Sequence, residues 1–217
     1  MLLFSIVING LGAAFYPTWV WNAFPSDVDT NFPRIWDWRY PQFLAGWIEP
    51  PLPAEFPAMP GRIDFSSDTD QRFLPRGWGV AIPNARWSDG RRAEVVFAMD
   101  SITPLELQIK LRPFIVPPKL KEQRLILSIN GHPLQTFQLD RDELSTLSVP
   151  VPSQYLRNKN ELVFDLPNAT KPSSLFRCDD PRRLGICVES MEFHPSNKIR
   201  DLQPGDDRDP AHWQHYR

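Results

Sequence analysis

Positive charge is missing from the start of this chain: no Lys or Arg occurs before Arg34, and MLLFSIVINGLGAAFYPTWVWNAF carries no charged side chain. A secretory signal peptide, the obvious competitor for so short an apolar start, needs a basic n-region and a small-residue cleavage site, and neither is convincing here. An apolar helix needs about 20 residues to cross a hydrocarbon layer of roughly 30 Å. Pro17 has no amide to continue a helix, which predicts an unbroken helix only over Met1 to Tyr16, about 24 Å long. The rings of Phe15, Tyr16, Trp19, Trp21 and Phe24 follow, as amphipathic rings do at the headgroup level. Residues 1–24 are expected to be a membrane helix or its remnant, the alternative being a core helix of a soluble domain. With no Lys or Arg ahead of the helix, charge gives no orientation.

Cysteine is scarce, with only Cys178 and Cys187 in 217 residues. Two thiols nine positions apart are too few for a disulfide framework, and whether they bridge stays open. No CxxC spacing suggests a metal site. A net charge of -2 supplies no basic field, which removes electrostatic support for a nucleic-acid partner. Also absent are a G-x-S-x-G elbow, an H-E-x-x-H pair and a Gly-rich phosphate loop. Glycine is sparse at 10 while proline reaches 24, a balance that disfavours long helices and suits a β-rich, loop-rich domain.

Residues 25–60 form a Pro- and Trp-rich connector in which Trp36, Trp38 and Trp47 require cover, so it is expected to pack rather than to be a flexible linker. Beyond it the pattern turns to period two. Leu105, Leu107, Ile109 and Leu111 alternate with Glu106, Gln108, Lys110 and Arg112, the signature of a strand with one buried face. RLILSI and HPLQTFQL meet at Asn130-Gly131, a pair able to supply positive φ at both corners of a type I′ turn. That hairpin places Leu125, Leu127 and Ile129 on one face, with Phe137 and Leu139 returning. Further strands are expected at Glu94–Met99, Leu147–Val151, Leu162–Leu166 and Ile186–Phe193, and weaker ones at Ile63–Phe65 and Gly77–Ile82. Short strands without an intervening amphipathic helix indicate an all-β fold, an antiparallel β-sandwich of jelly-roll type over residues 61–195. Residues 196–217, polar and rich in alternating charge, are expected to be disordered.

Candidate chemistry is thin. His212 and His215 stand in the polar tail, and His132 and His194 flank strands. Asp179 and Asp180 are adjacent, but Arg182 and Arg183 follow at once, so an ion pair that fixes a loop is the simpler account. Trp78, Asn84, Arg86, Trp87 and Asp89 form a candidate sugar-binding cluster, because aromatic faces give apolar platforms and nearby polar groups fix hydroxyls. The alternative is that Trp78 and Trp87 seal the end of a sandwich core.

The order of landmarks carries a resemblance: WDWRYPQFL after VDTNFPRI, then GWGVAIPNARWSDG with an R-W-S-x-G turn, LELQIKLRPFIVP, the I-N-G hairpin and DDPRRLGICVESMEF. Residues 1 to 195 resemble the last membrane helix and C-terminal extracytoplasmic β-sandwich of bacterial polytopic glycosyltransferase-like proteins related to the dolichyl-phosphate-mannose type. The helices and acidic catalytic loop of that family have no counterpart here. The resemblance therefore implies a non-catalytic, membrane-tethered domain, either the end of a split or truncated frame or a stand-alone accessory. It implies a place at the bacterial inner membrane facing the periplasm or cell exterior. The partners it implies are a membrane and a polytopic glycosyltransferase subunit or a glycan, with no cofactor, no metal and no nucleic acid. A stand-alone carbohydrate-binding module is the alternative. Within the resemblance Asp180, Arg182 and Gly185 serve folding, Asp180 and Arg182 as a loop-ordering pair and Gly185 by allowing close backbone approach.

Overall fold

The alternation at Leu105–Pro113 becomes a central strand in which Leu105, Leu107, Ile109 and Leu111 are buried while Lys110 and Arg112 reach solvent. The computed structural model describes residues 16–23, 28–29 and 32–196. The apolar stretch before Tyr16, the tail from residue 197 and, with it, His212 and His215 lie outside the described residues.

The described residues form ten strands: β1 (Arg62–Asp64), β2 (Trp78–Ile82), β3 (Ala85–Ser88), β4 (Arg92–Ala98), β5 (Leu105–Pro113), β6 (Gln123–Ile129), β7 (His132–Leu139), β8 (Ser145–Val151), β9 (Lys159–Asp165) and β10 (Ile186–Pro195). One sheet runs β2-β3-β10-β5-β8, with β1 also paired to β10; the other runs β4-β9-β6-β7. Every ladder between these strands is antiparallel. The pairing is nested: β6 with β7, β5 with β8, β4 with β9 and β3 with β10. A long hairpin folded over so that successive pairs alternate between sheets has this order, the wrapping of a jelly roll.

The core lies between the sheets. Leu107, Ile109, Val149, Val188 and Met191 from one meet Val95, Phe97, Leu125, Leu127, Leu162 and Phe164 from the other. Phe97 meets Phe193 edge to face with ring centroids 4.9 Å apart, a favoured geometry for aromatic quadrupoles. At the β6–β7 hairpin Asn130 has φ 51° and Gly131 φ 82°, the two positive values a type I′ turn requires. Leu125 pairs with Phe137 and Gln123 with Leu139, so the returning side chains cover the rim of the core.

Three expectations are corrected. Only the end of the R-W-S-x-G segment is a turn: Arg86, Trp87 and Ser88 lie in β3, Asp89 and Gly90 lead into β4, and the β2–β3 corner falls at Asn84, whose φ is 67°. An Arg in mid-strand broke the apolar alternation that would have marked it. Helical backbone occupies Tyr16–Ala23 (α1), where no helix was expected beyond Tyr16, with Pro17 in its first turn, a position that tolerates proline. Packing holds it there, because Thr18 and Trp21 are buried and the Trp21 indole donates to the Tyr40 carbonyl at 2.8 Å. Among the described residues no helix is long and apolar enough to cross a membrane.

The third correction concerns the connector. It is ordered and packs, since the Gln42 amide donates to the Asn22 side-chain carbonyl at 2.6 Å, and Pro57 and Met59 bond to both sides of Ala98 on β4. Yet Trp36, Trp38 and Trp47 are exposed. Its single-turn helices, Phe32–Trp36 and Gln42–Leu44, offer too little surface to cover large rings on both sides.

Candidate functional site

Gly77 opens the local architecture. Its φ of +76° suits glycine, and a Cβ there would stand 2.1 Å from the Arg92 carbonyl oxygen. This close approach brings the start of β2 against the start of β4. The Arg76 guanidinium thereby reaches Glu94, donating from Nε to Oε2 at 2.5 Å, while Arg92 Nε donates to Oε1 at 2.9 Å. Glu94 is only 1% exposed. Its two oxygens are each taken by a guanidinium, the form in which a carboxylate is tolerated in a protein interior. Arg76 also holds Glu49 at 3.0 Å and the Pro50 carbonyl at 3.2 Å, which ties the connector to the sandwich.

A second tie lies beside it. The Tyr16 hydroxyl of α1 donates to Asp89 Oδ2 at 2.5 Å, and the Arg183 amide donates to Oδ1 at 3.1 Å. Burial first, then the bond to Asp89, pushes the Tyr16 phenol well above the usual tyrosine range. It therefore acts as a fixed donor at neutral pH. The loop before β10 is ordered by Asp180, whose carboxylate accepts from the Arg182 amide at 3.0 Å and from its Nη2 at 2.7 Å. Those bonds hold the Asp180 carboxyl below its ordinary range. At Gly185 a Cβ would come within 3.0 Å of Leu166 Cδ1, so the strand entry packs there at closest approach.

Between these ties runs a cleft of about 830 Å³ at the junction of α1, residues 40–50 and one end of the sandwich. Its walls carry the rings of Tyr16, Tyr40 and Trp47 together with Arg91, Lys171, Arg183, Asp89 and Glu49. Trp47 is 80% exposed, so most of the indole is accessible to a ligand.

The five candidate sugar residues are not gathered into one site. Trp78 is 3% exposed; its indole donates to the Glu94 carbonyl at 2.8 Å and meets Phe65 and Phe164 edge-on. Arg86 is fully buried, donating to the carbonyls of Phe65 at 2.9 Å and Gly79 at 3.3 Å. Burial lowers its guanidinium pKa. Trp87 is half-buried, edge-on to Phe114, and Asn84 occupies the exposed β2–β3 corner. Of the five, only Asp89 lines the cleft. Trp47, Arg91, Lys171 and Arg183 escaped the sequence reading because they come from three distant segments. The one available signal was the Trp-rich connector followed by Arg91-Arg92.

Both cysteines are free; burial pushes the Cys187 thiol up to about 11, so it is a core thiol rather than a nucleophile. His132 stacks on Tyr155 at 4.6 Å, and His194 lies 3.4 Å from Glu192. Among the described residues no group of three or more His, Cys, Asp or Glu side chains could hold a metal ion.

No protein-family model matches the chain, and no curated protein does. Among solved structures it is similar to a family GH115 4-O-methyl-alpha-glucuronidase, BtGH115A, described as having specificity for decorated arabinogalactans. The identity is 11% and the TM-score 0.43, over 89% of this chain and 25% of that one. It is also similar to a carbohydrate-binding module, CBM36, in complex with calcium and xylotriose, at 10% identity and TM-score 0.33, covering 51% of this chain and 78% of that. A third is the EclA C-terminal domain, a sugar-binding protein, at 11% identity and TM-score 0.35, covering 49% and 68%. This chain spans a quarter of the glucuronidase, and at these values each likeness is slight. The comparisons give no support to the resemblance to mannosyltransferase-type membrane proteins.

Proposed function

We propose that this chain is a non-catalytic carbohydrate-recognition module that takes a saccharide in the cleft between α1, the connector and the end of the sandwich. The observation that carries this reading is the pairing of the exposed Trp47 indole with a wall of charged and hydrogen-bonding side chains in that cleft. A flat indole face packs against the C–H face of a pyranose, while charged and amide groups orient its hydroxyls. The cleft's carboxylates do not favour acid–base chemistry: both oxygens of Glu94 are held by arginines, both of Asp89 by Tyr16 and the Arg183 amide, and Glu49 is paired with Arg76. The whole chain screened against a glycan array, beside Trp47→Ala, tests the reading. Binding is expected to vanish with Trp47→Ala while the melting temperature stays put. Undiminished binding by that variant, or no binding by the parent, overturns it.

A specific observation favours a second, architectural role. Among the described residues, eight of the thirteen exposed large apolar side chains lie between Trp19 and Trp47, directly after the charge-free start of the sequence. A concentration of exposed rings next to such a segment suits the headgroup level of a bilayer. In this reading the module sits at the face of a bacterial inner membrane toward the periplasm or exterior, beside a polytopic glycosyltransferase partner. Flotation with vesicles of phosphatidylethanolamine and phosphatidylglycerol tests the membrane part. The chain should float with the vesicles, less so after Trp36→Ala and Trp38→Ala; equal recovery of parent and variant removes the aromatic surface from the account.

A further inference from the structure

We propose that the cleft selects an acidic saccharide, a sugar ring bearing a carboxylate or phosphate, which Arg91, Lys171 and Arg183 receive while Trp47 stacks on the ring. This rests on the carbohydrate reading and names its ligand class.

The charge balance of the cleft points there. Five cations line it (Arg76, Arg91, Arg92, Lys171 and Arg183) against three carboxylates (Glu49, Asp89 and Glu94). The pairing is uneven. Arg76 and Arg92 are consumed by Glu94, Glu49 and Glu161. Asp89 is consumed by Tyr16 and a backbone amide. Among the described residues no carboxylate lies within ion-pairing distance of Arg91, Lys171 or Arg183. Arg183 gives Nη1 to the Ala169 carbonyl at 3.2 Å. That bond fixes the plane of the guanidinium and leaves its other donors for a ligand.

Three cations with no carboxylate partner among the described residues, at the edge of a concave site, concentrate positive potential, because low-dielectric walls focus the field into the opening. A planar guanidinium matches a carboxylate or phosphate with two parallel hydrogen bonds, and charge-assisted bonds of this kind are about twice as strong as neutral ones. A neutral sugar would leave these donors to water. An anionic one uses them and keeps the contact with Trp47. Arg91 and Lys171 are solvent-exposed, so they can be changed without disturbing the core.

Isothermal titration of the full chain with trigalacturonate, its fully methyl-esterified form and glucose 6-phosphate tests the proposal. Trigalacturonate or the sugar phosphate should bind, and the one that binds tells carboxylate from phosphate. The neutral ester should bind about tenfold more weakly or worse, and the Arg91→Gln/Lys171→Gln variant should lose a similar factor toward the anion. Its melting temperature should match the parent's. Equal binding of acid and ester leaves carbohydrate recognition standing and overturns the anionic selectivity. Binding of the anion that survives the double substitution overturns the assigned receivers. If no saccharide of the three binds and the glycan array is also blank, both the inference and the reading beneath it fall.

Discussion

Tyr16 and Asp89, 73 positions apart, share a 2.5 Å hydrogen bond that fastens helix α1 to the turn between β3 and β4. The tie closes one wall of the cleft, so the shape of the cleft depends on a contact made by the segment that precedes the sandwich. Tyr16→Phe removes the donor and keeps the ring. It should cost about 1.5 to 3 kcal/mol, as expected for a hydrogen bond to a carboxylate. The Tyr16 pKa is raised in the folded chain, so its contribution is complete below about pH 10, the ordinary tyrosine value, and is lost as pH rises beyond it. The gap in Tm between parent and Tyr16→Phe should therefore be full near neutrality and narrow above about pH 10. A gap that widens with alkali would contradict the assigned donor.

Gly77 and Gly131 both have positive φ, but only Gly77 faces an obstacle. A Cβ on Gly77 would lie 2.1 Å from the Arg92 carbonyl oxygen, whereas none of the surroundings of Gly131 comes within 4 Å. Gly131→Val should cost about 1 kcal/mol from backbone strain alone. Gly77→Ala, though smaller, should cost more than about 2 kcal/mol, since strain is joined by a clash with main chain. Urea unfolding of the two variants gives the ranking directly.

Trp78 and Trp47 are the same residue in opposite roles. Truncating Trp78, buried between Phe65 and Phe164, should cost about 3 to 5 kcal/mol. Trp47→Ala should stay within about 0.5 kcal/mol, as for most exposed positions. A stable Trp78→Ala protein that had lost a measurable glycan signal would return Trp78 to the site and displace the cleft.

Asp180 offers a test in acid. Its carboxyl titrates below the ordinary range, chiefly because of the Arg182 side-chain hydrogen bond. The stability it confers is present above about pH 4, the unfolded carboxyl value, and is lost as pH falls through the lower folded value. Asp180→Asn should be less stable than the parent at neutral pH, and the two should converge in acid below about pH 4. Thermal melts across that range should show the convergence; a constant gap would mean that charge is not what orders the loop.

Residues two positions apart in an extended chain share a face, and that local rule is why the sandwich was legible in the sequence. The alternation from Leu105 to Arg112 and the Asn130-Gly131 pair need no knowledge of the rest of the molecule. Asp180 and Arg182 bond across two positions, so they too were legible. By itself the sequence determined a β-rich chain, its main strands and its hairpin. Strand β3 was hidden because Arg86 stands where the alternation calls for an apolar side chain. Its burial becomes tolerable only when the carbonyls of Phe65 and Gly79, brought in from other segments, accept its donors. Only the tertiary structure could decide which tryptophan is core and which is exposed, because burial belongs to the neighbours and not to the indole. The cleft was settled in the same way: residues 16, 47, 89, 91, 171 and 183 meet there only after nested strand pairing has brought those segments to one end of the sandwich.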